Sequence, residues 1–290
     1  MSENRIVSEQ KAAPAAAPGQ RGQGSNLLTR IAAALVLAPI AILCAYIGGW
    51  LWIALVTLVT IGLLIEWQFV IGASREILAT SAGAVALLIA GILLAFGRIE
   101  SAVLILGLGL VAVVVLAPSH RAWSGAGFVY AAAAQLASVL VRLDHVGGLA
   151  ALILVLLVVW VTDIGGYFAG RGIGGPKLWP RVSPNKTWAG AVGGFVASLM
   201  VASGFAALGF GKTWPMLLLG AALSIASQLG DLFESAVKRH FGVKDSSHII
   251  PGHGGLMDRL DGFVAAIVLA AIFGLLRGGL DGVGRAIMVW

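Results

Sequence analysis

Charge is what this chain has least of. Only 11% of its 290 residues are Asp, Glu, Lys or Arg, against about 25% in an ordinary soluble domain. Cysteine is almost absent. Cys44 stands alone, which excludes an intramolecular disulfide and argues against a cysteine-based metal site or a Cys/His nucleophile pair. Acids are scarce, 13 in all, so the place of each carries information. No leader with a small-residue cleavage site is expected ahead of the first apolar run, which reads as a retained helix. Apolar side chains fill the chain instead: 59% of it is hydrophobic, with a mean hydropathy of +0.97. A soluble core cannot absorb that much apolar surface, so lipid has to be the solvent for most of it.

A span needs about 20 apolar residues to cross the hydrocarbon. Candidate runs are Ile31–Ile47, Trp50–Ile71, Ile77–Phe96, Ala102–Ala117, Gly127–Val141, Gly148–Ala169, Ala189–Phe210, Pro215–Phe233 and Phe263–Leu276. Backbone groups in lipid must be satisfied within the segment, so each run is expected to be a helix. The expected fold class is all-α, a polytopic integral membrane protein with about nine transmembrane helices. Residues 1–30, rich in Ala, Pro, Gly and Gln, read as a disordered tail. Residues 31–147 read as N-terminal spans, and 148–290 as the catalytic membrane region with polar loops 170–188 and 234–262.

The net charge of +6 does not point to nucleic acid, because the basic residues sit between apolar runs rather than along one soluble face. Anionic lipid headgroups and nucleotide phosphates fit better. With the N-terminus placed in the cytoplasm and nine crossings, 14 of the 19 Lys and Arg fall on the cytoplasmic side and 5 on the other. The positive-inside rule favours this orientation. The localisation expected is the inner, cytoplasmic cell membrane, multi-pass, with both long polar loops on the cytoplasmic face.

Six of the 13 acids fall in or beside those loops: Asp163, Asp231, Glu234, Asp245, Asp258 and Asp261. Asp163 and Asp231 lie inside apolar runs, where an ionisable group is costly and reads as functional unless a structural ion pair accounts for it. Asp231 and Glu234 stand three apart, as do Asp258 and Asp261. On a helix that spacing puts both carboxylates on one face, where they repel unless a cation lies between them. Hard carboxylate oxygens without cysteine suit Mg²⁺; solvated helix ends neutralised by Arg259 are the plainer alternative. Basic residues interleave with these acids. Lys177, Arg181 and Lys186 lie in one loop, and Lys238, Arg239 and Lys244 in the other. Nucleotidyl transfer needs mainly positioning and charge neutralisation, which such residues supply. Pro251 to Gly255 forces a turn. A helix is expected to begin near Leu256 with its N-terminus free to favour an anion. His240, His248 and His253 suit zinc less well than the acids suit magnesium. Glu66, late in the second run, reads either as a buried partner for a base or as a secondary element of the cavity.

Residues 228–261 resemble the C-terminal motif of the phosphatidate cytidylyltransferases, also called CDP-diacylglycerol synthases. The pattern S-x-x-K-R, K-D, P-G-H-G-G, D-R-x-D is matched by Ser235 to Arg239, Lys244-Asp245, Pro251 to Gly255, and Asp258-Arg259-Leu260-Asp261. A second block, Asp163 to Arg171 followed by Ser183 to Trp188, is similar to the family's other polar region, and Glu66-Trp67 weakly resembles its N-terminal half. Gly262, Ala189 and Gly166 stand where many members carry Ser, Glu and Ala. The resemblance implies that CTP and phosphatidate, an anionic membrane lipid, give CDP-diacylglycerol and pyrophosphate with Mg²⁺. It implies catalytic roles for Asp231, Lys238, Arg239, Lys244, Asp245, His253, Asp258, Arg259 and Asp261. Substrate binding would fall to Asp163, Ser183, Pro184, Asn185, Lys186, Thr187, Gly254 and Gly255. Asp231 and Asp258, with Asp261 nearby, would hold the metal. A homodimer is carried as one candidate assembly. The competing reading is a cation- or proton-coupled transporter, served by Asp163 and Asp231 in glycine-broken helices.

Overall fold

The computed structural model describes residues 39–247 and 254–290. The tail at 1–30, the start of the first apolar run, His248, Pro251 and His253 lie outside the described residues. A first helix, α1, covers 39–47. It is followed by α2 (Gly49–Val70), α3 (Ile77–Ala95), α4 (Ile99–Leu116), α5 (Arg121–Leu143) and α6 (Gly148–Gly172). A short hairpin of β1 (Lys177–Trp179) and β2 (Ser183–Thr187) leads into α7 (Trp188–Ala207), α8 (Thr213–His240), α9 (Met257–Gly278) and a terminal α10 (Val283–Met288). Eight of these helices, α2 to α9, are long and apolar enough to span a bilayer. The chain is an all-α polytopic membrane protein.

Three elements differ from the hydropathy reading for one physical reason. Helix α5 has 23 residues, although its apolar run stops at Val141. Ser124 and Arg142, on either side of that run, are buried in the protein interior rather than exposed to lipid, as are Gln135 and Ser138 within it. Gln135 donates to Thr57 Oγ1 and to the Leu87 carbonyl, both at 2.9 Å. Arg142 donates to the carbonyls of Ala45 and Tyr46 at 2.6 and 2.8 Å. Helix α8 likewise continues to His240, and α9 begins at Met257 rather than Phe263. The polar loop read as 234–262 is therefore only the linker 241–256. Polar groups that find partners inside the protein do not end a membrane helix.

The helices alternate in direction. The ends of α2, α4, α6 and α8 and the starts of α3, α5, α7 and α9 gather at one face with the hairpin. The main packed pairs are α6 with α7, α3 with α4, and α8 with α9. Glycine makes the first of these close: a Cβ at Gly190 would lie 2.8 Å from the Gly166 carbonyl oxygen, and backbone cannot give way. Gly190→Val is expected to force α6 and α7 apart, at a cost of about 1–3 kcal/mol. Thermal unfolding in detergent checks it, and a variant as stable as the parent contradicts this account of the pair.

At the opposite face Asp144 ties the loop between α5 and α6 to α10. Its Oδ2 accepts from Arg285 N at 2.6 Å, and its Oδ1 from Val146 N at 2.9 Å and Gly147 N at 3.4 Å. Partial burial works against the charge. The donated backbone hydrogen bonds and the Arg285 charge outweigh it, and the carboxyl lies below its usual value of 3.8. A depressed carboxyl stabilises the fold above its unfolded value, and that contribution fades as pH falls through the folded one. Melting curves of the parent are expected to lose an increment of stability below about pH 4 that Asp144→Asn never has. Parallel curves for the two proteins overturn the assignment.

Candidate active site

The hairpin exists because the chain leaves α6 through Gly174 and Gly175, with φ of 70° and 92°, which glycine adopts without strain. Pro180 then occupies the second position of the Trp179–Val182 turn, closed by Val182 N donating to the Trp179 carbonyl at 3.1 Å, where its fixed φ is favoured. Strand β2 thereby lies against α8. Thr187 ends the strand and caps α7, its Oγ1 accepting from Gly190 N at 3.1 Å.

Between α6, β2, α7 and α8 opens a cavity of about 610 Å³. Asp163 and Arg171 come to it from α6; Ser183, Asn185, Lys186 and Thr187 from the hairpin; Gln228 and Asp231 from α8. Lys186 Nζ lies 2.6 Å from Asp231 Oδ2, and Ser235 Oγ is 3.4 Å from Asp231 Oδ1. Asp163 feels the charges of Asp231, Asp261 and Lys186. The wall thus holds two carboxylates and two cations at one membrane face, with hydroxyl and amide groups between them.

Behind this cavity lies a second cluster, on α2, α8, α9 and the linker. Lys238 pairs with Asp258 Oδ1 and stands 3.0 Å from Glu234 Oε1. Asp258 Oδ2 accepts from Ser246 N and Gly255 N, both at 3.1 Å, and Ser246 Oγ lies 3.1 Å from it. The Glu234 and Asp261 carboxyls adjoin, and Asp261 Oδ1 accepts from Gly262 N at 2.7 Å. The i, i+3 pairs do not share partners. Asp231 turns to Lys186 and Glu234 to Lys238, while Asp258 and Asp261 meet different groups of α8. The cation between the acids of α8 and α9 is Lys238.

The helix N-terminus at Leu256 does attract an anion, but the anion belongs to the protein. Leu256 N and Met257 N donate to Glu66 Oε1 and Oε2, both at 2.7 Å. These two amides are taken by a side chain of the protein. Glu66 is fully buried. The sequence carried a signal for it, an acid in an apolar helix, but no clue to its partners.

Of the residues singled out from sequence, Asp163, Ser183, Asn185, Lys186, Thr187 and Asp231 line the cavity. Lys238, Asp258, Asp261 and Gly255 form the cluster behind it. Gly254 holds a φ of 82° at the entry to α9. Pro184, Lys244, Asp245 and Arg259 are exposed and do not line the cavity. Arg239, also exposed, donates to the Val243 carbonyl at 3.3 Å and so closes its own helix end. Tyr167, Arg171 and Gln228 line the cavity without having been singled out as site residues. A helix read as a membrane span does not tell which of its polar residues face a cavity.

Fold and site together define a multi-pass membrane protein with a charge-lined cavity at one face, the arrangement of an enzyme that meets lipid and water at once. The chain belongs to the cytidylyltransferase family, whose model matches residues 28–276. It is 42% identical over 258 residues to a phosphatidate cytidylyltransferase of Brucella suis, an overlap covering 86% of this chain and 94% of the relative. A Brucella abortus protein of the same name matches to the same extent. One from Staphylococcus haemolyticus is 46% identical over 155 residues, 52% of this chain and 55% of that one.

Proposed function

We propose that the protein transfers a cytidylyl group from CTP to phosphatidate, giving CDP-diacylglycerol and pyrophosphate. The observation that carries this reading is the cavity between α6, the hairpin and α8, with Lys186, Arg171, Asp163 and Asp231 on its wall, in a chain of this family. The transporter reading has no support from it, since the charges gather at one face rather than at the midplane.

The reaction needs no nucleophile from the protein. A phosphate oxygen of phosphatidate attacks the α-phosphorus of CTP, the α–β P–O bond breaks, and its electron pair leaves on pyrophosphate. The protein has to bring two polyanions together and offset their repulsion. Lys186 and Arg171 supply cationic charge at the cavity. Ser183 and Asn185 offer hydrogen bonds to a nucleotide or a lipid phosphate. The lipid enters sideways from the leaflet at this face, which we place in the cytoplasm on the 14-to-5 distribution of Lys and Arg.

Mg²⁺ fits part of this donor set. Among the described residues no three His, Cys, Asp or Glu side chains are placed to hold an ion by themselves. Mg²⁺, however, takes one or two carboxylates and completes its shell with water and phosphate oxygens. Asp231 and Asp163 open onto the cavity and suit that role, with Asp261 near them. Asp258 could contribute only Oδ1, the oxygen turned to Lys238. When bound, the ion would neutralise triphosphate charge.

Purified protein incubated with labelled CTP, phosphatidate and Mg²⁺ is expected to yield a labelled CDP-lipid and one pyrophosphate per lipid. Failure to form either product with folded protein overturns the reading.

A further inference from the structure

We propose that Glu66, which does not line the cavity, is a positioning residue for the reaction and acts through Ser246 and the first turn of α9 on Asp258 and Lys238. The inference rests on the function proposed above. Glu66 Oε1 accepts from Ser247 Oγ at 2.6 Å and Leu256 N at 2.7 Å, and Oε2 from Ser246 Oγ at 3.0 Å and Met257 N at 2.7 Å. Four donors on two oxygens is a pattern that suits a carboxylate, which has acceptor sites alone. Two of the donors are backbone amides at the start of α9, 190 residues further along the chain. The other two are adjacent serines in the linker after α8.

Ser246 carries the effect onward. Its Oγ lies 3.0 Å from Glu66 Oε2 and 3.1 Å from Asp258 Oδ2. The Ser246 and Gly255 amides hold that same Oδ2, which leaves Oδ1 aimed at Lys238. The orientation of Asp258 is thus dictated by two backbone segments, and Glu66 ties both to α2. There is no room for slack: a Cβ on Gly255 would collide with Ser246 Oγ and lie 2.8 Å from Glu66 Oε2. The anchor itself is rigid. The neighbouring Trp67 is buried and donates from Nε1 to the Trp123 carbonyl at 2.8 Å. A carboxylate that orients a reacting group from behind typically changes activity on the order of 10–100-fold when removed.

Glu66→Gln turns an NH₂ toward backbone N–H donors and breaks the pattern. Ser246→Ala leaves the backbone bonds of Glu66 and of Asp258 in place and removes only the hydroxyl that lies between the two carboxyls. Both are expected to lower kcat by on the order of 10–100-fold, with KM for CTP changed by less than about threefold. Glu66→Asp is expected to recover part of the loss. The double variant is expected to be no worse than Glu66→Gln alone, because the two residues act in series. Hydrogen exchange supplies the readout that does not depend on turnover. In Glu66→Gln the amides of Ser246 and Gly255–Met257 exchange about tenfold faster, while those of α3 and α4 keep their protection. Unchanged exchange in this segment overturns the proposal. So does a loss of kcat in Ser246→Ala that merely tracks the fraction of unfolded protein. If the parent protein makes no CDP-lipid, the functional reading fails instead, and the exchange result still decides whether the brace exists.

Discussion

Lys186→Met is expected to lower kcat/KM for CTP by about 10²–10³-fold, the range seen when one preorganised charge-stabilising group is removed from an active site. Lys186 is the cation nearest Asp231, at 2.6 Å, and it comes from the hairpin rather than from a membrane helix. Without it, the cavity wall presents Asp163 and Asp231 with Arg171 as the remaining cation among its lining residues. A triphosphate would then approach two carboxylates with one protein cation fewer to offset them. Lys186→Arg is expected to restore only part of the activity, because a planar guanidinium cannot occupy the point position of an ammonium. Initial rates at varied CTP, in protein whose melting temperature has been checked, decide the matter. Activity within threefold of the parent would reduce Lys186 to a strut for Asp231.

Lys238→Met is expected to produce the largest loss of stability. Lys238 stands between Glu234 and Asp258 at the junction of α8 and α9. Its side chain is only 11% exposed and that of Glu234 only 2%. Removing one member of a buried ion pair strands the others and costs about 3–5 kcal/mol. The midpoint of thermal unfolding in detergent would fall by on the order of 10 °C. Glu234→Gln in the same protein is expected to return part of the loss, since it removes one of the carboxyls that Lys238 leaves without a partner, whereas Glu234→Gln alone leaves the Lys238–Asp258 pair intact and costs less. Equal melting points for Lys238→Met and its parent would mean that the pair is not buried as described.

These expectations draw on two kinds of information. The polar residues of the site were legible because the chain is so poor in charge. Asp163, Lys186 and Asp231 stand out in an apolar sequence, and all three line the cavity. Their grouping was not legible. Spacing placed Asp231 with Glu234, and Asp258 with Asp261, but a helical face does not say which neighbour it meets. Only the i, i+4 pair of Glu234 and Lys238 lay in the spacing; once α8 packs on α9, Asp258 meets Lys238 and Asp261 meets Glu234, while Asp231 faces the hairpin. The hairpin was hidden as well, since Lys177–Trp179 and Ser183–Thr187 are too short and too polar for an alternating pattern.

Hydropathy by itself determined that the chain spans a membrane many times, and where most spans lie. Water and lipid differ so much as solvents that about 20 apolar residues suffice to decide. The motif at 228–261 by itself pointed to the family. Only the tertiary structure decided where the helices end and what the charges do. A polar side chain in a span is tolerated when a partner from elsewhere in the chain meets it, and sequence distance carries no record of that meeting. Glu66 shows the difference most plainly. As sequence it is one acid in an apolar run; folded, it closes the N-terminus of a helix 190 residues away, because that is where four donors in need of an acceptor come together.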